Sequence, residues 1–154
     1  MAIINYVRRK DLLNAGLSNS ELIHLFQRCE YFRNRKEETS IYLQFDVLMI
    51  FIALELSNFL SLRNVSETIS DLTKHCQNLC KLLKKNKKQF LVVEKKTDTE
   101  MVIEESFYIA FPVFMDSLKV FNWDKRESMV LLNLEKLFDR VEDLFEKEAV
   151  QVAE

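Results

Sequence analysis

Glycine and proline each occur once in this chain, at Gly16 and Pro112. Sandwiches and barrels need many residues that tolerate positive φ or interrupt pairing, so their scarcity argues for long helices and few tight turns. It also excludes a P-loop and a dinucleotide fingerprint, neither of which can be written with a single glycine. Histidine occurs twice, as His24 and His75, and neither stands beside a serine or cysteine in a recognisable nucleophile elbow. No nucleophile–base–acid set is legible, so the expectation is a protein that is not an enzyme, with no catalytic residues and no cofactor. The cysteines are Cys29, Cys76 and Cys80. An odd number without a secretory leader fits a reducing cytoplasm better than a disulfide scaffold. The longest apolar run, Val47 to Leu54, is far too short to span a bilayer. A soluble, cytoplasmic protein without a membrane partner is therefore expected.

Against these absences stands a 154-residue chain that is 48% hydrophobic and 30% charged, ample for a packed core with solvated helix faces. Its net charge of −2 is unevenly distributed. From Met1 to Lys36 seven basic residues oppose three acidic ones, whereas from Thr97 onward six basic residues oppose fourteen acidic ones. A basic front that meets an anion, followed by an acidic rear that avoids one, is the organisation this suggests.

Periodicity and capping outline the elements. A first helix is expected from about Arg9 to Ala15, with Gly16 at its C-terminal cap. Ser18 followed by Glu21 forms a capping box that opens a second helix, running to about Cys29 with Leu22, Leu25 and Phe26 on one face. Two short helices joined by a glycine-containing turn outline a helix-turn-helix. The charged stretch Arg33–Ser40, between Tyr31-Phe32 and Ile41-Tyr42-Leu43, reads as a short hairpin or extended loop, in effect a wing. Phe45–Leu60 is too uniformly apolar to be amphipathic and should be buried nearly all round. Val65, Ile69, Leu72, Cys76, Leu79 and Leu83 form one stripe on a helix from Val65 to about Lys85. Phe90–Val93 and Met101–Ile103 flank a polar turn, as in a small β-hairpin. Ser106–Phe121 has no secure assignment. A long amphipathic helix is expected from Asp124 to about Glu148, with Val130, Leu134, Leu137, Val141 and Leu144 along its stripe.

The order Gly16-Leu17-Ser18, Leu22, charged hairpin, Tyr42, Asp46 and Leu56 resembles the MerR-like winged-helix domain over roughly the first 75 residues. In that family a Gly-hydrophobic-Ser turn opens the recognition helix and a tyrosine leads from the wing into a third helix. This chain has Ile23-His24-Leu25 where the family usually carries Arg-aromatic-aromatic, and Ser40-Ile41 before Tyr42 where a glycine and an arginine are usual. The resemblance implies DNA binding as a dimer.

The fold expected is thus mainly α: an N-terminal winged helix-turn-helix over residues 1–75, then a helical dimerisation or effector region with a small hairpin over residues 76–154. Its partner would be double-stranded DNA and its role transcriptional regulation. Ser18, Asn19, Ser20, His24, Gln27 and Arg28 are the polar residues of the second helix that could meet base edges, and Arg8, Arg9, Lys10, Arg33, Arg35 and Lys36 would hold phosphates. The same residues also read as ordinary solvated charges, in which case the chain is a protein-interaction module without a nucleic-acid role. The lysine cluster at Lys81, Lys84, Lys85, Lys87 and Lys88 reads as a solvated helix end or as a second phosphate-contacting patch. Cys76 and Cys80, one turn apart on the expected helix, read as small buried hydrophobes or as two thiolates of a metal site, and no metal is assigned. The stripe of the last helix must be covered, either by the Val65–Leu83 stripe of the same chain or by the same helix of a second subunit in a homodimer.

Overall fold

A computed structural model describes residues 3–36, 41–85, 90–97, 103–110 and 128–153. The chain is mainly helical, with two three-stranded antiparallel sheets among the described residues. Strand β1 (Ile3–Arg8) leads directly into α1 (Arg9–Asn14), and α2 (Asn19–Arg28) and α3 (Glu30–Lys36) follow. A two-residue strand, β2 (Ile41–Tyr42), feeds α4 (Gln44–Leu56), which is succeeded by α5 (Leu62–His75) and α6 (Leu79–Lys85). Strands β3 (Phe90–Thr97), β4 (Ile103–Ala110) and β5 (Ser128–Asn133) precede α7 (Leu134–Glu148) and the terminal strand β6 (Val150–Ala153).

The centre of the molecule is α4, whose residues Val47 to Ala53 are all buried. No face of this helix is polar, so it must be covered on every side. Helices α2, α5, α6 and α7 all pack on it. The opposite solution appears in α7, where Leu134, Leu137, Phe138, Val141, Leu144 and Phe145 are buried and the charged faces are not.

Two strand-to-helix junctions lie side by side, because β1 and β2 pair with Arg8 opposite Ile41 and Val7 opposite Tyr42. Each is closed in the same way. The Arg8 backbone N–H donates to Asp11 Oδ2 at 2.7 Å, and the Leu43 N–H donates to Asp46 Oδ2 at 2.9 Å. A carboxylate on the third helical residue thereby satisfies a donor that the helix start would otherwise orphan. Both aspartates are buried.

The structure corrects several sequence expectations. Residues Glu30–Lys36, including Arg33, Arg35 and Lys36, form a helix and not the edge of a hairpin wing. Strand β2 pairs with the N-terminal strand β1, not with Tyr31-Phe32. The local β propensity of Tyr31-Phe32 is overridden by packing, since as part of a helix Phe32 reaches the core and meets Phe26 edge-on at 5.9 Å. Residues 37–40 of the expected wing lie outside the described residues.

The helix expected from Val65 to Lys85 is two helices. It breaks at Cys76, whose φ of −126° and ψ of 36° leave the helical region. The break lets α6 turn Leu79 and Leu83 onto the core against α4 and α7. The last long helix, expected from Asp124, begins at Leu134, capped by the Asn133 side chain, which accepts from the Lys136 N–H at 3.3 Å, and residues 124–127 lie outside the described residues. Ser128–Asn133 is strand, paired with β3 so that Leu132 lies opposite Leu91 and Val130 opposite Val93. A contiguous Met-Val-Leu-Leu run suits either a helix or a buried strand, and the free edge of β3 decides between them. Strand is found where the 90–103 hairpin was expected, but shifted: β3 runs through Thr97 and pairs antiparallel with Ile103–Ala110, while residues 98–102, including Met101 and Val102, lie outside the described residues. Within the unassigned Ser106–Phe121 stretch, residues 106–110 belong to β4, and 111–121 lie outside the described residues.

One apolar cluster runs from Val7 to Phe145. The boundary drawn at residue 75 falls inside it, and β1 pairs with β6 so that the two ends of the chain share a sheet. The apolar stripe of α7 is covered within the chain, by α4, α6 and neighbouring strands. A homodimer seam along this helix has no apolar surface left to form it. No helix among the described residues is long and apolar enough to cross a membrane.

Candidate nucleic-acid interface

The chain leaves α1 through Ala15 and Gly16, and Gly16 adopts a φ of 99°, a left-handed conformation that glycine alone takes at little cost. Its N–H closes the turn on the Leu13 carbonyl at 3.0 Å. Ser18 then caps α2, its Oγ accepting from the Glu21 N–H at 3.5 Å and lying 2.8 Å from Ser20 Oγ.

Helix α2 is anchored by one edge. Leu22, Leu25 and Phe26 are buried, while Ser18, Asn19, Ser20, Ile23, His24, Gln27 and Arg28 are exposed. The polar residues expected to face a groove therefore share one open surface. Ile23, 40% exposed in the middle of it, was not among them. Its spacing from Leu22, Leu25 and Phe26 already puts it off the buried stripe, but an isoleucine offers no polar group to a base edge.

The expected phosphate-binding residues divide. Lys10, Arg28 and Arg33 are exposed. Arg8 and Arg9 are engaged in holding the fold. Arg8 Nε lies 3.6 Å from Asp11 Oδ2. Arg9 donates to Asn19 Oδ1 at 3.1 Å and sets its guanidinium 5.4 Å from the centroid of the Phe26 ring, tying α1 to the start of α2. Arg9 and Asn19 are thus partners of each other across the turn. Arg35 and Lys36 belong to α3.

No protein-family model matches this chain, and neither a curated protein nor a solved structure shows significant similarity to it. What the chain does must be argued from its own surface.

The other sequence candidates resolve differently. Lys81, Lys84 and Lys85 are exposed on α6, and Lys84 and Lys85 occupy its last turn, where cations are favoured. Lys87 and Lys88 lie outside the described residues. Cys76 and Cys80 do not share one helix, because Cys76 caps α5 and Cys80 belongs to α6. Among the described residues no three His, Cys, Asp or Glu side chains converge as a metal site. Cys29 sits between α2 and α3, where burial pushes its thiol pKa up. Hydrogen bonds from Ser66 and from the Phe32 and Tyr31 backbone partly offset that rise.

Burial raises the Cys76 thiol as well, and pushes Cys80 up from 9.0 to about 11, with Lys84 opposing the rise and Asp46 adding to it. The thiolate is the reactive species, so Cys80 is expected to alkylate with iodoacetamide at pH 8 about a hundredfold more slowly than an unstructured cysteine. Mass spectrometry of time points from the native and the urea-unfolded chain measures the ratio. The linkage has a definite sign. The folded state holds the Cys80 proton more tightly than the unfolded state, so this contribution to stability is fully present below pH 9.0 and falls as pH rises through about 11.

Proposed function

We propose that this protein binds double-stranded DNA and regulates transcription, with α2 as the element that enters the major groove. The observation that carries this reading is the orientation of α2. A glycine turn and a serine cap present a ten-residue helix whose apolar edge is held by the core and whose Asn19, Ser20, His24, Gln27 and Arg28 stand in solvent. A groove-reading helix needs this arrangement, with short polar side chains for base edges and cations nearby for phosphates. Lys10, Arg28 and Arg33 supply the cations.

The likeness to MerR-like domains belongs to the same proposal. Of the residues that carry it, Gly16-Leu17-Ser18 form the turn and cap before α2, Leu22, Tyr42, Asp46 and Leu56 are buried, and Asp46 closes the start of α4. The proposal carries forward neither the Arg33–Ser40 wing nor the α7 dimer seam. A cytoplasmic location, read from three cysteines without a disulfide pattern, belongs to the same proposal.

Fluorescence anisotropy with a mixed-sequence duplex tests the reading. Affinity should fall with rising salt, and the joint R28A and R33A replacement should weaken binding and flatten the log–log salt slope by about 1 for each phosphate no longer neutralised. Replacing Ser20, His24 and Gln27 by alanine should reduce discrimination between sequences by about 1–3 kcal/mol for each base edge no longer read. Absence of any salt-dependent duplex binding by the unaltered chain rejects the proposal. One observation favours a second reading, a protein-interaction module: Ile23 is exposed at the centre of the α2 face. In that case Ile23→Glu abolishes partner binding and DNA is irrelevant to it.

A further inference from the structure

Away from the α2 face, a groove of about 580 Å³ opens between the start of α3, the β2–α4 junction and the end of α5. Its size is that of a small-molecule site. Tyr31, Leu43 and Phe45 form its apolar walls. Leu43 is 41% exposed, an unusual state for a leucine in a chain that buries most of its aliphatic residues, and Tyr31 and Phe45 are only partly covered. An apolar lining left open to water gains stability when an apolar ligand covers it.

The polar groups of the groove are unequal. Asp46 is buried at its floor, with one oxygen accepting from the Tyr31 hydroxyl at 2.8 Å and the other from the Leu43 N–H at 2.9 Å. Its charge is directed into the protein's own donors. Lys74 and Gln77 lie on the rim, both exposed, and among the described residues neither has a hydrogen-bond or ion-pair partner. The accessible charge of the groove is therefore positive although its formal charges cancel. A single ammonium beside one amide suits a monoanion, whereas a phosphate generally recruits several cations or a bidentate arginine. The last-turn carbonyls of α5 repel an anion on the helix axis, so the acid must sit to one side, under the lysine.

We propose that this groove binds a small amphipathic carboxylate, its aryl or branched-alkyl body against Tyr31, Leu43 and Phe45 and its carboxylate at Lys74 and Gln77. The site is independent of the DNA-binding reading and is assayed without nucleic acid.

Isothermal titration of the full chain with 4-phenylbutyrate, 4-phenyl-1-butanol and 4-phenylbutylamine separates body from head group. The acid should bind most tightly and the amine most weakly. Lys74→Gln should weaken the acid about fivefold, to the level of the alcohol, and leave the alcohol within about twofold, as expected for one partly exposed ion pair. Leu43→Ser should weaken all three. Both substitutions fall on exposed side chains, and an unchanged thermal midpoint confirms that each variant is folded. Three results overturn the proposal: an amine that binds as well as the acid, an acid whose affinity ignores Lys74→Gln, or no binding of the acid at about 1 mM, the concentration matching a free energy of about −4 kcal/mol.

Discussion

Truncating Phe138 to alanine is expected to cost about 3–5 kcal/mol of folding stability. Phe138 is completely buried in the second turn of α7, on the stripe that closes the core over α4. Alanine removes the ring and leaves a cavity that neighbouring side chains can fill only in part. Urea unfolding followed by circular dichroism measures the loss. The exposed Glu146 on the same helix provides the control, and its replacement by alanine should change stability by no more than about 0.5 kcal/mol. The same experiment decides what covers α7. The stripe is buried within one chain, so the unfolding midpoint should not move between about 1 and 100 μM protein, whereas a seam between subunits makes it rise with concentration.

Replacing Asp46 by alanine should cost about 2–4 kcal/mol, more than a surface carboxylate would. The carboxylate is buried and accepts from two donors on different elements, the Tyr31 hydroxyl of α3 and the Leu43 N–H at the start of α4. Its removal takes the acceptor away from both part-buried donors, and losing one side of such a bond costs more than the modest net gain of an average hydrogen bond. Asp46→Asn should recover part of the loss, since its one carbonyl oxygen can still accept. Tyr31→Phe alone should cost about 1.5 kcal/mol, and in the Asp46→Ala background almost nothing, because the bond it removes is already gone. A double-mutant cycle from chemical denaturation measures this coupling. Strict additivity of the two losses would mean that the Tyr31–Asp46 bond contributes nothing.

These two sites show which parts of the structure could be read from the chain. The stripe of α7 is visible as a 3-4-3 spacing in the sequence, and α4 as an apolar run too uniform to have a wet face. The Gly16 turn and Ser18 cap of α2 are legible because each has a local chemical cause, a positive φ and an orphaned N–H. Asp46 stands out in the sequence only as a point of family likeness. Its bond to Tyr31 joins residues 15 apart, and no local pattern announces it. The N-terminal strand escapes a local reading for a similar reason. Ile3–Arg8 is extended because it pairs with β6 at the far end of the chain and with β2 in between.

The candidate interface divides in the same way. That α2 has a polar face follows from spacing, and so do the residues on it. Which cations remain free for a partner does not. Arg9 and Asn19 are ten positions apart, and only the fold of the turn brings them to 3.1 Å, where the arginine serves the helix pair.

By itself the sequence determined that the chain is mainly helical, that α4 is uniformly buried and that a capped helix follows Gly16, because propensity, periodicity and capping act over a few residues and leave their marks there. Tertiary structure alone decided that Glu30–Lys36 is helix, that Ser128–Asn133 is strand, and that both ends of the chain share one sheet and one core. Such segments have two local solutions of nearly equal free energy, and the choice falls to distant partners whose apolar faces and unpaired strand edges they complete.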